Sequence, residues 1–152
     1  MNRASKPPEQ LPVIDWAALR HHLPVEAAAD GQVFFREGEE CHKGGRAIYA
    51  VIFGQVEISS QGAGGRVPIV RTLKPGDIFG LVGFLATDRH TATCKAKGET
   101  QVVIITAEKL KELQSKNPVV HTQLLWACAN QLARDLRACN ERLLTALGNA
   151  RH

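Results

Sequence analysis

Between Gly31 and Ile105 short apolar runs alternate with turn-forming residues. Val33–Phe35, Ile48–Phe53, Val56–Ser59, Val67–Leu73, Thr91–Lys95 and Thr100–Ile105 are rich in β-branched or aromatic side chains, and Gly, Pro or Asp bound them. Short strands at this spacing predict a β-sandwich or barrel and argue against alternating βαβ units. Gln61-Gly62-Ala63-Gly64-Gly65 reads as a glycine-rich hairpin tip. Upstream, Asp15 is placed to cap a short helix over Trp16–Leu23, with Ile14 and Leu19 as its hydrophobic staple and Pro24 as its stop. Residues 1–13 are polar and Pro-rich without periodicity, and are expected to form a loose arm.

Beyond Ile105 the apolar period becomes helical. Thr106 can cap a short helix through Leu113, with Ile105 and Leu110 as its staple. Asn117-Pro118 supplies an N-cap followed by proline at the first helical position, and Gly148 is the matching stop. A helix over 118–147 would run about 45 Å at 1.5 Å per residue. On it Leu125, Cys128 and Leu132 recur eleven residues later as Leu136, Cys139 and Leu143, and Leu147 continues the series. Eleven residues over three turns give a nearly straight seam. So long a helix overhangs a small barrel and leaves its apolar seam exposed, so a homodimer through this seam is expected.

The 152 residues suit one domain, assigned to 14–147. With 44% hydrophobic and 22% charged residues the chain has the balance of a folded protein. No stretch approaches the ~20 apolar residues that span a bilayer. The start, Met1 to Pro8, lacks the apolar run of a signal peptide, so a cytoplasmic protein with no membrane contact is expected. A net charge of +4 permits contact with nucleic acid without requiring it.

Cys41, Cys94, Cys128 and Cys139 are widely spread and form no C-x-x-C pair, which argues for reduced, mostly buried thiols and against a zinc or iron–sulfur site. The six histidines make no H-x-H or H-x-x-x-H pair. No Ser–His–Asp, G-x-S-x-G or Walker-type constellation is present. Neither a metal site nor an enzyme is expected. Haem ligation through Cys94 or His90 stays open on residue type alone, against packing in the barrel.

The most specific segment runs from Gly76 through Asp77, Ile78, Phe79, Gly80, Leu81, Val82, Gly83 and Phe84 to Leu85, followed by Asp88-Arg89-His90-Thr91-Ala92-Thr93. Pro75-Gly76-Asp77 is a turn, and Gly80–Leu85 has the length of one short helix whose first N–H groups can face a phosphate. The candidate pocket is therefore Phe79, Gly80, Leu81, Val82, Gly83, Arg89, His90 and Thr91.

This segment resembles the cassette of the cyclic nucleotide-binding domains in the catabolite-activator and fumarate–nitrate-regulator superfamily. That cassette reads roughly G-D-x-F-G-E-x-A-L-L, then P-R-T-A-T-V after a short gap. The match runs from Gly76 to Cys94 without a gap. Gly31, Gly38-Glu39, Gly54 and Ile48-Tyr49-Ala50-Val51-Ile52 fit the family's early strands. The resemblance covers about residues 15–147. It implies a mainly β fold with flanking helices, an eight-stranded jelly-roll barrel followed by a long C-terminal dimerisation helix.

Two departures bear on function. In the family a Glu after F-G accepts from the ribose 2′-hydroxyl, and Leu81 stands there. The family's phosphate-pairing Arg is replaced by His90. Each loss amounts to roughly 1.5–3 kcal/mol, and together ~3–6 kcal/mol is on the order of a hundredfold to ten-thousandfold in affinity. Arg89, one residue early, is an alternative phosphate partner. Cys41–Ala47 holds a few extra residues, enlarging a loop.

Activators of this superfamily carry a helix-turn-helix after the long helix. Here the chain ends four residues past Gly148, and Arg134, Arg137 and Arg142 dot a solvated helix face. No DNA binding by this chain alone is expected. The resulting expectation is a non-catalytic regulatory or sensor module with altered or lost cyclic nucleotide binding. It would have no resident cofactor and hold at most a weakly bound cyclic nucleotide or anion. Two readings stand beside it: a functional cyclic AMP or cyclic GMP sensor that regulates a partner protein, and a pure protein-interaction scaffold.

Overall fold

Two 14-residue strands, β3 (Ala47–Ser60) and β6 (Thr93–Thr106), pair antiparallel and form the spine of the sheet. Their alternation sorts the core. Ile48 and Ala50 on β3, with Val103 and Ile105 on β6, face the helices. Val51 and Val102 face the interior of the roll. Four shorter strands complete the sheet: β1 (Val25–Ala28) and β2 (Val33–Phe35) pair with β6, and β4 (Ile69–Leu73) and β5 (Ile78–Phe79) pair with β3.

The computed structural model describes residues 14–41, 46–61, 69–86 and 88–150. The expected arm over 1–13, the glycines of the hairpin tip, the first residues of the Val67–Leu73 run and most of the enlarged 41–47 loop lie outside these. The β-rich architecture with flanking helices is as expected. Six strands stand among the described residues. The two long strands each absorb two expected ones, because Gly54 and Gly98 form bulges rather than turns. Between Phe53↔Gln101 and Gln55↔Lys97, three residues of β6 oppose Gly54 alone. Gly54 has φ 78°, and a Cβ there would lie 2.3 Å from the Glu99 carbonyl oxygen, so only glycine fits. The bulge is fastened by the buried Thr100 hydroxyl, which donates to the carbonyl oxygen of Gln55 at 2.9 Å.

Helix α1 (Trp16–Leu19) is shorter than the expected 16–23, yet Ile14, Leu19 and Leu23 are all buried against the helix-side core. A five-residue helix, α2 (Leu81–Leu85), follows β5. Thr106 caps α3 (Ala107–Lys116), accepting from the Lys109 N–H at 3.0 Å. Asn117 caps α4 (Pro118–Asn149) with proline in its first turn. This helix has 32 residues and continues through Gly148, one residue past the expected stop. No described helix is long and apolar enough to cross a membrane.

Candidate functional site

The cassette is built by a turn, a two-residue strand and a short helix. Asp77 shapes the turn, its carboxylate accepting from the Lys74 N–H at 3.0 Å and its own N–H donating to the Lys74 carbonyl at 3.0 Å. The β5 residues Ile78 and Phe79 pair with Ala50 and Tyr49 on β3, which fixes where α2 begins. Gly80, in the left-handed region at φ 83°, turns the chain into α2. Leu81 then points into the helix-side core and is only 4% exposed. At Gly83 an added Cβ would lie 2.9 Å from the Cys41 Sγ and 3.2 Å from the His90 Nδ1, so the helix can approach both groups only without a side chain here.

A cavity of about 110 Å3 opens beside this segment. Phe79, Gly80, Leu81, Val82, Gly83, His90 and Thr91 all line it, so seven of the eight expected pocket residues converge. Arg89 does not. Its backbone pairs with Glu40, and its guanidinium donates to the Gly38 carbonyl at 2.8 Å and lies 3.6 Å from the Glu40 carboxylate. That turns Arg89 into a larger neighbouring cleft of about 650 Å3, together with Phe34, Tyr49, Phe84 and Arg46. His90 borders both the cleft and the smaller cavity, and Phe35 does the same.

His90 is held as a neutral packing group. Its ring stacks on Phe35 at 3.8 Å and 12°. Its backbone N–H donates to the Glu39 carbonyl at 2.9 Å and its own carbonyl accepts from the Gly38 N–H at 2.8 Å. Burial lowers its pKa from the usual 6.5, with the Glu39 carboxylate pulling the other way. A lowered pKa means that the unfolded chain takes up the proton first. Nothing is lost above the unfolded value, and stability falls as the pH drops through it. The unfolding midpoint is therefore expected to fall less between pH 7 and pH 5 in His90→Gln than in the parent; parallel curves would assign the acid sensitivity elsewhere.

Cys94 lines the same cavity. Burial pushes its thiol up to about 12, with Arg71 pulling it down, so it is a protonated packing group at neutral pH. Among the described residues no group of three or more His, Cys, Asp or Glu is gathered for a metal.

Among the lining residues absent from the expected set two are charged, Arg71 on β4 and Asp135 on α4, joined at 2.6 Å. A signal for Arg71 exists in the sequence. On β4 it alternates with the exposed Val70 and Thr72 and shares the inward face with buried Leu73, a placement unusual for a cation.

The expected seam divides. Leu125, Leu136, Leu143 and Leu147 are 47–63% exposed and Cys139 is exposed as well. Cys128 and Leu132 instead pack against the helix-side core of their own chain, and burial raises the Cys128 thiol to about 11. Leu124, fully buried, and Gln131, nearly so, form the face that α4 turns to the sheet.

A family model described as the cyclic nucleotide-binding domain matches residues 25–117. The chain is 28% identical over 127 residues to a CRP-like cAMP-activated global transcriptional regulator of Mycobacterium tuberculosis, covering 84% of this chain and 53% of that protein. It is 30% identical over 127 residues to the cAMP-activated global transcriptional regulator CRP of Haemophilus influenzae, covering 83% and 52%. The chain thus spans about half the length of these curated relatives. Among solved structures, a cyclic nucleotide-binding domain from Methylobacillus flagellatus superposes with a TM-score of 0.71 at 18% identity, covering 85% of this chain and 70% of that one. At that identity the likeness speaks for the fold alone.

Proposed function

The chain belongs to the cyclic nucleotide-binding domain family, and from that membership we propose that it is a non-catalytic regulatory module in which cyclic nucleotide binding is weakened or lost and which pairs with a second copy through α4. The observation that carries this reading is the chemistry of the cassette itself. At the two positions where the family resemblance calls for a carboxylate and a guanidinium stand a core-packed Leu81 and a stacked, neutral His90. Neither can replace the charge-assisted contacts it displaces. Pairing through α4 is supported by the exposed leucines of its outer half.

In this reading the module acts by changing what its surface or its dimer presents to a regulated partner, in line with the two transcriptional regulators among its relatives. One observation favours a retained sensor over a pure scaffold: a guanidinium, Arg71, borders the cavity.

Titration calorimetry with cyclic AMP and cyclic GMP tests the proposal. A dissociation constant weaker than about 10 μM, or no heat, is expected; tighter binding, beyond about −7 kcal/mol, would show that the cassette works despite positions 81 and 90. A scaffold would in addition show no thermal stabilisation by either nucleotide at any concentration.

A further inference from the structure

The cassette cavity is bordered by one arginine and no lysine, and that arginine comes from outside the cassette. Arg71 sits on the inward face of β4, opposite Ile58 on β3, which itself pairs with Cys94 on β6; all three line the cavity. Its Nη1 donates to Asp135 Oδ1 at 2.6 Å, and the two side chains are each about one-third exposed, at 32% and 31%. A guanidinium carries five N–H donors. Among the described residues Asp135 is the only acceptor that Arg71 engages.

Asp135 belongs to a polar network that joins the long helix to the cassette. Its Oδ1 also accepts from Gln131 Nε2 at 2.9 Å, and Gln131 Oε1 accepts from the Ile78 N–H at 3.0 Å. One turn along, Arg134 donates to Gln131 Oε1 at 2.9 Å and lies 3.7 Å from the Asp77 carboxylate. The turn, the short strand and the helix are thereby tied to one another, while Arg71 is attached to this network through Asp135 alone.

We propose that Arg71 is the anion-binding residue of this pocket and Asp135 its internal competitor: an anionic ligand takes the guanidinium from the carboxylate and so loosens α4 from β4. The proposal rests on reading the cassette cavity as the ligand pocket. The chemistry it selects is a compact oxyanion, a phosphodiester or a free phosphate, because guanidinium and phosphate match in shape and charge. The same pair accounts for the small cavity. A carboxylate already occupies the place from which a phosphate would meet the cation, so the pocket opens only when the pair parts.

The test is titration calorimetry of the full chain with three probes, cyclic AMP, cyclic GMP and inorganic phosphate. The proteins are the parent, Asp135→Asn, Arg71→Gln and the double variant. Asp135→Asn should bind the responding probe roughly ten- to a hundredfold tighter than the parent, Arg71→Gln more weakly than the parent, and the double variant like Arg71→Gln. A response to the nucleotides alone names a phosphodiester on a nucleoside; an equal response to phosphate names a free anion.

Hydrogen exchange supplies a second readout that does not depend on the asparagine variant folding. Amides of 131–138 should exchange faster when the parent is saturated with the probe, and faster in Arg71→Gln without any probe. The proposal fails if Asp135→Asn binds no tighter than the parent, if the double variant keeps the gain, if the probe leaves exchange in 131–138 unchanged, or if no probe binds any of the four proteins. That last result would leave weakened binding standing as the function. Conversely, tight binding by the parent would remove the weakened-binding reading and leave the order of the variants to judge Arg71.

Discussion

Gly54→Ala should lower the thermal unfolding midpoint on the order of 10 °C. Two costs add. An alanine at φ 78° occupies the left-handed region, and its Cβ would meet the Glu99 carbonyl oxygen at 2.3 Å and the Thr100 Cα at 2.9 Å. The first is worth about 1–3 kcal/mol and the displacement of packed backbone about as much again. A kilocalorie shifts the midpoint of a domain this size by roughly 2–4 °C. Gly38→Ala is the comparison that isolates the second cost. Its φ is 86° but nothing lies within 4 Å of the added carbon, so only the conformational part remains, about 1–3 kcal/mol. Equal losses at 54 and 38, measured by calorimetry, would mean that the bulge yields to the methyl and that the close pairing of β3 with β6 is not what demands glycine.

Leu136→Glu and Leu143→Glu should each leave the protein monomeric at micromolar concentrations where the parent is dimeric. Both leucines are more than half exposed in the single chain, at 63% and 57%, and they share a face of α4 with Leu125 and Leu147. In a symmetric pair each substitution enters the interface twice, and a carboxylate held between apolar helices without a partner costs several kcal/mol. That corresponds to more than a hundredfold in the dimer dissociation constant. Arg137→Glu, on a third face, should leave association intact. Sedimentation velocity reads all three, with the unfolding midpoint as a check that the charged variants keep their fold. A parent that sediments as a monomer would remove the seam.

Much of this architecture could be read from the chain because its signals are local. Thr106 and Asn117-Pro118 announce helix starts through the reach of one side chain to a backbone N–H three residues on, which no distant packing alters. Strand runs were legible from their β-branched content, but their division was not. Gly54-Gln55 and Lys97-Gly98-Glu99 have turn composition, and only pairing across the sheet makes them bulges. Strand β1 escaped for the opposite reason. Val-Glu-Ala-Ala has little β-propensity of its own and is extended because Val25 to Ala28 pair with Val103 to Thr100.

The pocket divides in the same way. Positions 79–83, 90 and 91 are contiguous or nearly so and carry a family pattern. Arg71 and Asp135 meet from segments 64 residues apart, and nothing local to either says which partner it will find. On α4 the seam of leucines drew attention to one face. The face turned to the sheet, through Leu124, Gln131 and Asp135, lies about a third of a turn away and becomes polar where it reaches the cassette.

Helix α4 touches its own sheet along only its first half. Its last contacts with the cassette are Gln131, Arg134 and Asp135, whereas residues 141–150 are exposed throughout. From Asp135 to Asn149 the arm beyond this anchor measures about 21 Å at 1.5 Å per residue. A rigid arm converts angle into displacement, so a tilt of only about 5° at its root carries the tip through about 2 Å, roughly a third of the rise of a helical turn. Rearrangements too small to see in the sheet would thus arrive at the far end as a change of register between whatever surfaces meet there, and the arm's length, fixed by where the polar anchor ends, sets the gain.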